Sequence, residues 1–580
     1  MNVGGVHLGA RALGRRPMIG ERLRLALSLV GKRQRLTLFL LMAERVIVGV
    51  CDLLLAGSMY LLFLLLQGAA PKHHGWWTPK STLSAAFVTA TLILLRVLLD
   101  LVSTGSVVGY IQEIYTDILL RLTHGYNNMR WVRFAQRNRS ELLHHATYTA
   151  REASNFYHLG IEIVASSIVI VCMAGAVIYQ SPTAACGLAL AAGIIYGVHR
   201  FLIRRKLQRY ATQREEALRI LQRSLADMFS SGKELRSYGV EDFFSKRIAS
   251  QAESAAISHR NAALLPQVAR IITDQGVVLL FLCVVIAVEL RHGDVRQLLS
   301  LLMFYFVLSR RLLPLISQIS FMAGQMESSY KNVQMIAGEL NECSLHRTAQ
   351  TVAQRTHGDV LAEVEQVSFA FHEGAPLLRN VSLCLRQGEM VLLRGISGSG
   401  KSSLLSILAG VLQPTAGTIR VDQARVAYVP QDVILLDDSI RNNLLFGRNV
   451  KTDEELMHAL AAASLGEFVA VQTFGLDTEV GDNGILFSGG QRQRLGLARA
   501  IVGGASLLLL DEATSALDEE TESKVFANLR ASGVAILLVT HRSPRPAFAQ
   551  RVFRLANGCL IEESIDELSL LGAEAFTAAV

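Results

Sequence analysis

Gly395-Ile396-Ser397-Gly398-Ser399-Gly400-Lys401-Ser402 fits the pattern G-x-x-x-x-G-K-[ST]. The run before it, Met390-Val391-Leu392-Leu393, is strand-like, and the run after it, Ser403 to Leu412, is helix-like. A strand, a glycine-rich turn and a helix in that order aim backbone N–H groups at an anion. The segment Gly395, Ser397, Gly398, Ser399, Gly400, Lys401, Ser402 and Ser403 is therefore expected to cradle phosphates. Lys401 can reach the outer phosphates, and the Ser402 hydroxyl can hold Mg²⁺. A chance glycine-rich turn does not need the strand and the helix around it.

Downstream, Leu507-Leu508-Leu509-Leu510-Asp511-Glu512 is an apolar run ending in two carboxylates. Such a run suits the middle of a parallel sheet, and acids at its carboxyl end lie where open α/β sheets bind ligands. Asp511 is expected to bind Mg²⁺, directly or through water, and Glu512 to polarise an attacking water. Strand-like and helix-like runs alternate from about residue 359 to the end, which is an α/β pattern.

Between these motifs lies Phe487-Ser488-Gly489-Gly490-Gln491-Arg492-Gln493-Arg494. It resembles the LSGGQ signature of ABC ATPases, with Phe487 in place of the first Leu. Tyr428-Val429-Pro430-Gln431-Asp432 resembles the family's Q-loop, Ser515-Ala516-Leu517-Asp518 its D-loop, and Val539-Thr540-His541-Arg542 its switch-histidine segment. Phe371 falls where the family stacks an aromatic ring on adenine, and Thr478 to Gly484 resembles its exporter-specific segment. The resemblance implies ATP and Mg²⁺ as ligands, with Gln431 and His541 assisting hydrolysis and Gln431 also touching the metal. It implies that Ser488, Gly489, Gly490, Gln491 and Asp518 complete the ATP site of a second domain. Ser488 and the two glycines open a helix, so an anion site is expected there on physical grounds as well. One copy of each motif, none degenerate, implies a dimer, with a homodimer favoured over an asymmetric pair.

The first half is different. Of 580 residues, 51% are hydrophobic and only 18% charged, against roughly 25% charged in soluble domains. The mean hydropathy is +0.33. A span needs about 20 mostly apolar residues. Six segments qualify: 36–67, 82–110, 159–180, 183–203, 268–290 and 297–322. The long polar connections 111–157 and 204–267 carry basic residues, which places them in the cytoplasm. The expected architecture is a polytopic all-α membrane domain of six long helices followed by an α/β phosphate-loop ATPase domain. The boundaries are a cytoplasmic segment over 1–35, the membrane domain over 36–332, a linker over 333–358 and the nucleotide-binding domain over 359–580. The net charge of +8 comes largely from loops flanking the spans, so a nucleic-acid partner is not expected. The seven cysteines show no metal-binding or disulfide spacing.

Six spans with two long inner loops resemble the exporter fold of the same family. Arg139 to Leu143 and Gly232 to Gly239 resemble segments around its two coupling helices. Ionisable groups within the spans are a functional expectation by default. Arg96 and Asp100 are four apart and can pair, as can Arg270 and Asp274; Arg310 and Arg311 are adjacent and cannot share one partner. Arg96, Arg270, Arg310 and Arg311 are the candidate lining of an anion-binding cargo cavity, with internal pairing or snorkelling as the alternative. The membrane half is similar to bacterial lipid-linked-oligosaccharide flippases. The expected function is an ATP-driven exporter or flippase in a bacterial inner membrane, with the bilayer, a second copy and an amphiphilic cargo as partners. A microcin or lasso-type peptide exporter, or a multidrug exporter, is the alternative. An ATP-gated channel or regulator of the same fold is more remote.

Overall fold

The computed structural model describes residues 19–66, 81–180, 193, 197, 204–290, 295–347, 358–371, 376–540 and 548–564. The chain divides into two compact units: Met1–Asn127 with Asn138–Leu345, and Asn128–Arg137 with His346–Val580.

The first unit is helical. Its elements are α1 (Ile19–Leu29), α2 (Lys32–Leu66), α3 (Thr82–Asn127), α5 (Arg139–His144), a π turn (His145–Thr149), α6 (Ala150–Gln180), α7 (Arg204–Ser230), α8 (Gly232–Tyr238), α9 (Glu241–Leu290) and α10 (Val295–Leu345). The 46 residues of α3 extend about 70 Å at 1.5 Å per residue, more than twice the hydrocarbon core of a bilayer. A helix of this length extends beyond the apolar core of a bilayer, as the expected long polar connections require.

Among the described residues, three helical stretches are long and apolar enough to cross a membrane: Lys32–Leu66, Thr82–Asn127 and Arg139–Gly175. They overlap the first three expected spans, 36–67, 82–110 and 159–180. The fifth and sixth lie within α9 and α10, and 183–203 falls outside the described residues apart from 193 and 197.

Small residues let these helices approach closely. A Cβ on Gly49 of α2 would stand 1.9 Å from Val169 of α6, and one on Gly125 of α3 would stand 2.9 Å from Cys343 of α10. The break between α1 and α2 is held by side chains. Tyr157 donates to the Ala26 carbonyl at 2.6 Å, Arg121 to that of Leu29 at 3.0 Å, and Arg35 to that of Val30 at 3.0 Å. The three carbonyls lie at or just past the end of α1, where a helix leaves carbonyls to be satisfied from outside.

Among the described residues, Arg45, Asp52, Arg96, Asp100 and Glu162 pair across helices. Arg96 Nε on α3 lies 2.5 Å from Asp52 on α2. Asp100 pairs with Arg45 on α2 at 3.1 Å, and Arg45 also lies 3.2 Å from Glu162 on α6. The expected Arg96–Asp100 pairing along one helix is thereby corrected. The side chains of Arg270, Asp274, Arg310 and Arg311 lie outside the described residues.

The second unit includes Asn128–Arg137, which carries the short helix α4 (Trp131–Ala135). Arg130 N–H donates to the His346 carbonyl at 2.8 Å, and Val132 packs on the unit's apolar core. The segment that joins this unit thus lies upstream of the expected Arg139–Leu143, which is α5 of the helical unit. The core of the second unit is a six-stranded sheet of order β5-β6-β7-β3-β8-β9. Its strands are β5 (Val426–Val429), β6 (Leu507–Asp511), β7 (Ala535–Val539), β3 (Met390–Arg394), β8 (Arg551–Ala556) and β9 (Cys559–Glu563). Every pairing is parallel except β8–β9. β6 and β7 are buried at every position, which is why they read as unbroken apolar runs. A second sheet, β2-β1-β4, is antiparallel and comprises Leu378–Arg386, Val360–Phe369 and Ala416–Val421.

Candidate nucleotide site

β3 lies between β7 and β8 and delivers the phosphate loop at its carboxyl end. The helix Lys401–Leu408 follows at once. Gly398 and Gly400 have φ of 78° and 105°, a region closed to most side chains. Gly395 has φ 153°, and a Cβ there would stand 2.6 Å from the Leu555 carbonyl. Lys401 is 6% exposed, and its ammonium donates to the Gly395 and Ile396 carbonyls at 2.7 and 2.9 Å. Burial pulls its pKa below the usual lysine value, while Glu512 and Asp511 oppose that shift. Among the described residues, Ser399 Oγ is buried without a hydrogen-bond partner. A buried hydroxyl in a glycine loop, beside a lysine with two exchangeable acceptors, fits a phosphate group.

The carboxylates come from the next strand but one. Asp511 ends β6 and is 7% exposed. Glu512 follows with φ of 53°, an unfavourable backbone for a non-glycine residue. Gln431 Nε2 donates to Glu512 Oε2 at 3.0 Å, so the Q-loop amide holds the general-base candidate. Asp511 accepts a hydrogen bond from Tyr428 Oη at 3.0 Å. That contact was not foreseen. The signal lay in strand register: Tyr428 of β5 pairs with Leu509, and Asp511, two residues on, faces the same side. Burial and the adjacent Asp511 carboxylate push the Tyr428 phenol well above its usual pKa, so it remains a donor. One carboxylate, one serine hydroxyl and phosphate oxygens form a fitting donor set for Mg²⁺. Asp511 and Ser402 would supply the protein's share, with Gln431 beside them.

Ser488 caps the helix Gly489–Val502. Its hydroxyl accepts from Gln491 N–H at 3.2 Å, and Gln491 Oε1 accepts from Ser488 N–H at 2.8 Å. This capping box fixes the helix start and leaves Gly489 and Gly490 as the bare first turn. Phe487 is 5% exposed and packs edge-on to Phe468 at 5.5 Å, so the unusual aromatic is a core residue. Asp518 caps the next helix, Glu519–Ala531, by accepting from Thr521 N–H at 3.0 Å, which holds its carboxyl below the usual range. Phe371 is half-exposed, with its ring edge-on to Phe369 at 4.9 Å. His541 lies outside the described residues.

Comparison with known proteins agrees with this geometry. Residues 378–515 match the family model "ABC transporter". An ATP-dependent lipid A-core flippase of Burkholderia thailandensis is 42% identical over 217 residues, 34% of this chain and 36% of that protein. ATP-binding cassette sub-family B member 6 of Xenopus tropicalis is 36% identical over 223 residues, 36% of this chain and 26% of that protein. The matched stretch is thus about a third or less of each relative's length. A solved bacterial Atm1-family ABC exporter with ATP bound shares the fold across 95% of this chain and 98% of its own, with a TM-score of 0.72 and 19% identity.

Proposed function

Because this chain carries the ATP-binding domain of the ABC transporter family within the fold of an ABC exporter, we propose that it hydrolyses ATP to move an amphiphilic cargo outward across a membrane. The observation that carries the ATPase half is Glu512, set directly after Asp511 and held by Gln431 at 3.0 Å. Glu512 would accept the proton of the attacking water, and Lys401 would exchange its loop carbonyls for phosphate oxygens. Mg²⁺, when bound, would draw off negative charge from the phosphates. Phe371 would stack the base, and His541 would assist hydrolysis.

Each copy has one phosphate loop and one bare helix start at Ser488, so two copies would make two complete sites. The proposed working form is a homodimer in a bacterial inner membrane, with the nucleotide-binding part, 359–580, in the cytoplasm. The membrane domain would span 36–332 and the linker 333–358. Relatives named as lipid A-core flippases support a lipid cargo. A negative group on it would meet Arg270, Arg310 or Arg311; Arg96 already has Asp52 as its partner. The test is ATPase stimulation of the reconstituted protein by a panel of anionic lipids, glycolipids and peptides. Stimulation by lipids supports flipping, and stimulation by peptides alone would replace the lipid with a peptide cargo. Currents without cargo movement would make the protein a channel. The Glu512→Gln variant should bind ATP and turn over at a few per cent of wild type or less. Near-normal turnover would remove Glu512 from its role.

A further inference from the structure

Gln493 follows Gln491 by two residues on the signature helix and is 7% exposed. The hydrolysis scheme gives it no part, yet its amide is fully engaged. Oε1 accepts from Ala516 N–H at 2.9 Å. Nε2 donates to Ser515 Oγ at 3.0 Å and, at longer range, to the Gln431 carbonyl at 3.4 Å. One buried side chain thus joins the signature helix to the D-loop and to the backbone of the Q-loop.

Two bare glycine faces bring the same helix against the same two partners. A Cβ on Gly490 would stand 3.0 Å from the Ala516 carbonyl. A Cβ on Gly496 would stand 2.7 Å from both methyl groups of Val433, two residues past Gln431. The helix is therefore packed without slack between the Q-loop and the D-loop, and close packing transmits displacement.

Those two loops serve different nucleotides in the proposed dimer. Gln431 holds Glu512, beside this chain's own phosphate loop. The helix start at Ser488 and the D-loop face the site built on the second copy's phosphate loop. We propose that Gln493 and Gly496 are positioning residues that couple the two ATP sites. Movement of the Q-loop on nucleotide binding at one site is passed through the signature helix to the surface that completes the other. This inference rests on the homodimer proposed above. It supplies what coupling requires, a continuous physical connection between two distinct sites.

The experiment measures ATPase rate against ATP concentration for the full-length protein in nanodiscs. Wild type should be cooperative, with a Hill coefficient between about 1.5 and the limit of two set by two sites. Gln493→Glu keeps an acceptor for Ala516 N–H and lets the Ser515 hydroxyl reverse and donate, but it cannot donate to the Gln431 carbonyl. Its Hill coefficient should fall to about 1, while metal-free ATP affinity stays within about twofold of wild type. Gly496→Ala places a methyl group on Val433 and should lower the coefficient likewise. Adding Val433→Ala to that chain removes the clash and should restore it, a rescue that a general loss of stability would not show. Should Gln493→Glu fail to fold, the Gly496 and Val433 pair decides the matter. Wild-type Hill coefficients in Gln493→Glu and Gly496→Ala, or no rescue by Val433→Ala, overturn the proposal. If the Glu512→Gln variant with ATP shows no two-copy particle by mass photometry, the homodimer itself is wrong. If that particle forms and wild type is hyperbolic, the coupling alone is wrong.

Discussion

Asp52→Asn removes the partner of Arg96 while barely changing shape. Arg96 is 23% exposed and Asp52 9%, with 2.5 Å between nitrogen and oxygen. Removing one member of a buried pair leaves a charge without compensation and costs about 3–5 kcal/mol. The lower end applies, because Arg96 keeps some exposure and its stem can carry the guanidinium toward water. The expected loss is therefore about 3 kcal/mol in the single variant. Replacing both groups, as Asp52→Leu with Arg96→Met, should return stability to within about 1 kcal/mol of wild type. Chemical unfolding in detergent micelles of the single and the double variant measures this directly. Two results refute the structural pair: an Asp52→Asn protein as stable as wild type, or a double variant no better than the single. A stable Arg96→Ala protein that loses only cargo stimulation would assign Arg96 to the cargo.

Lys401→Ala should weaken ATP binding by at least about tenfold, because it removes the buried cation of the phosphate loop, and calorimetry would show it. Tyr428→Phe should raise the Mg²⁺ requirement about tenfold, the usual scale for losing a hydrogen bond to a metal ligand. Mn²⁺ titration followed by electron paramagnetic resonance checks that directly, and metal-free ATP affinity should not change. Ser488→Arg should stop hydrolysis by filling the helix start offered to the second copy, and in mixed dimers it should inhibit the wild-type partner. Full activity of those mixed dimers would argue against shared sites.

The candidate nucleotide site was legible because its motifs are tied to local structure. The phosphate loop needs the strand before it and the helix after it, and both can be read from consecutive residues. The buried strand β6 announces itself by four leucines and ends on the acids it positions. What failed was pairing between elements. The four-residue spacing of Arg96 and Asp100 suggests a bond along one helix, but their partners, Asp52 and Arg45, stand on α2. Helix register is set by close approaches such as Gly49 on Val169, and one sequence does not carry that information in any short window. Tyr428 and Gln493 were missed for the same reason. Each looks like an ordinary strand or helix residue until the neighbouring element is in place. The segment Asn128–Arg137 was missed because α4 is only five residues long, too short to show a periodicity.

The two carbonyls that hold the Lys401 ammonium have a kinetic consequence. The loop itself solvates the cation, so an arriving phosphate would exchange for ligands the lysine already has rather than meet an unsolvated buried charge. In the proposed hydrolysis cycle, the same two carbonyls would take the place of a departing phosphate. The lysine would then change partners on both entry and exit, which would lower the electrostatic resistance to a product leaving and let the next nucleotide find the loop already shaped.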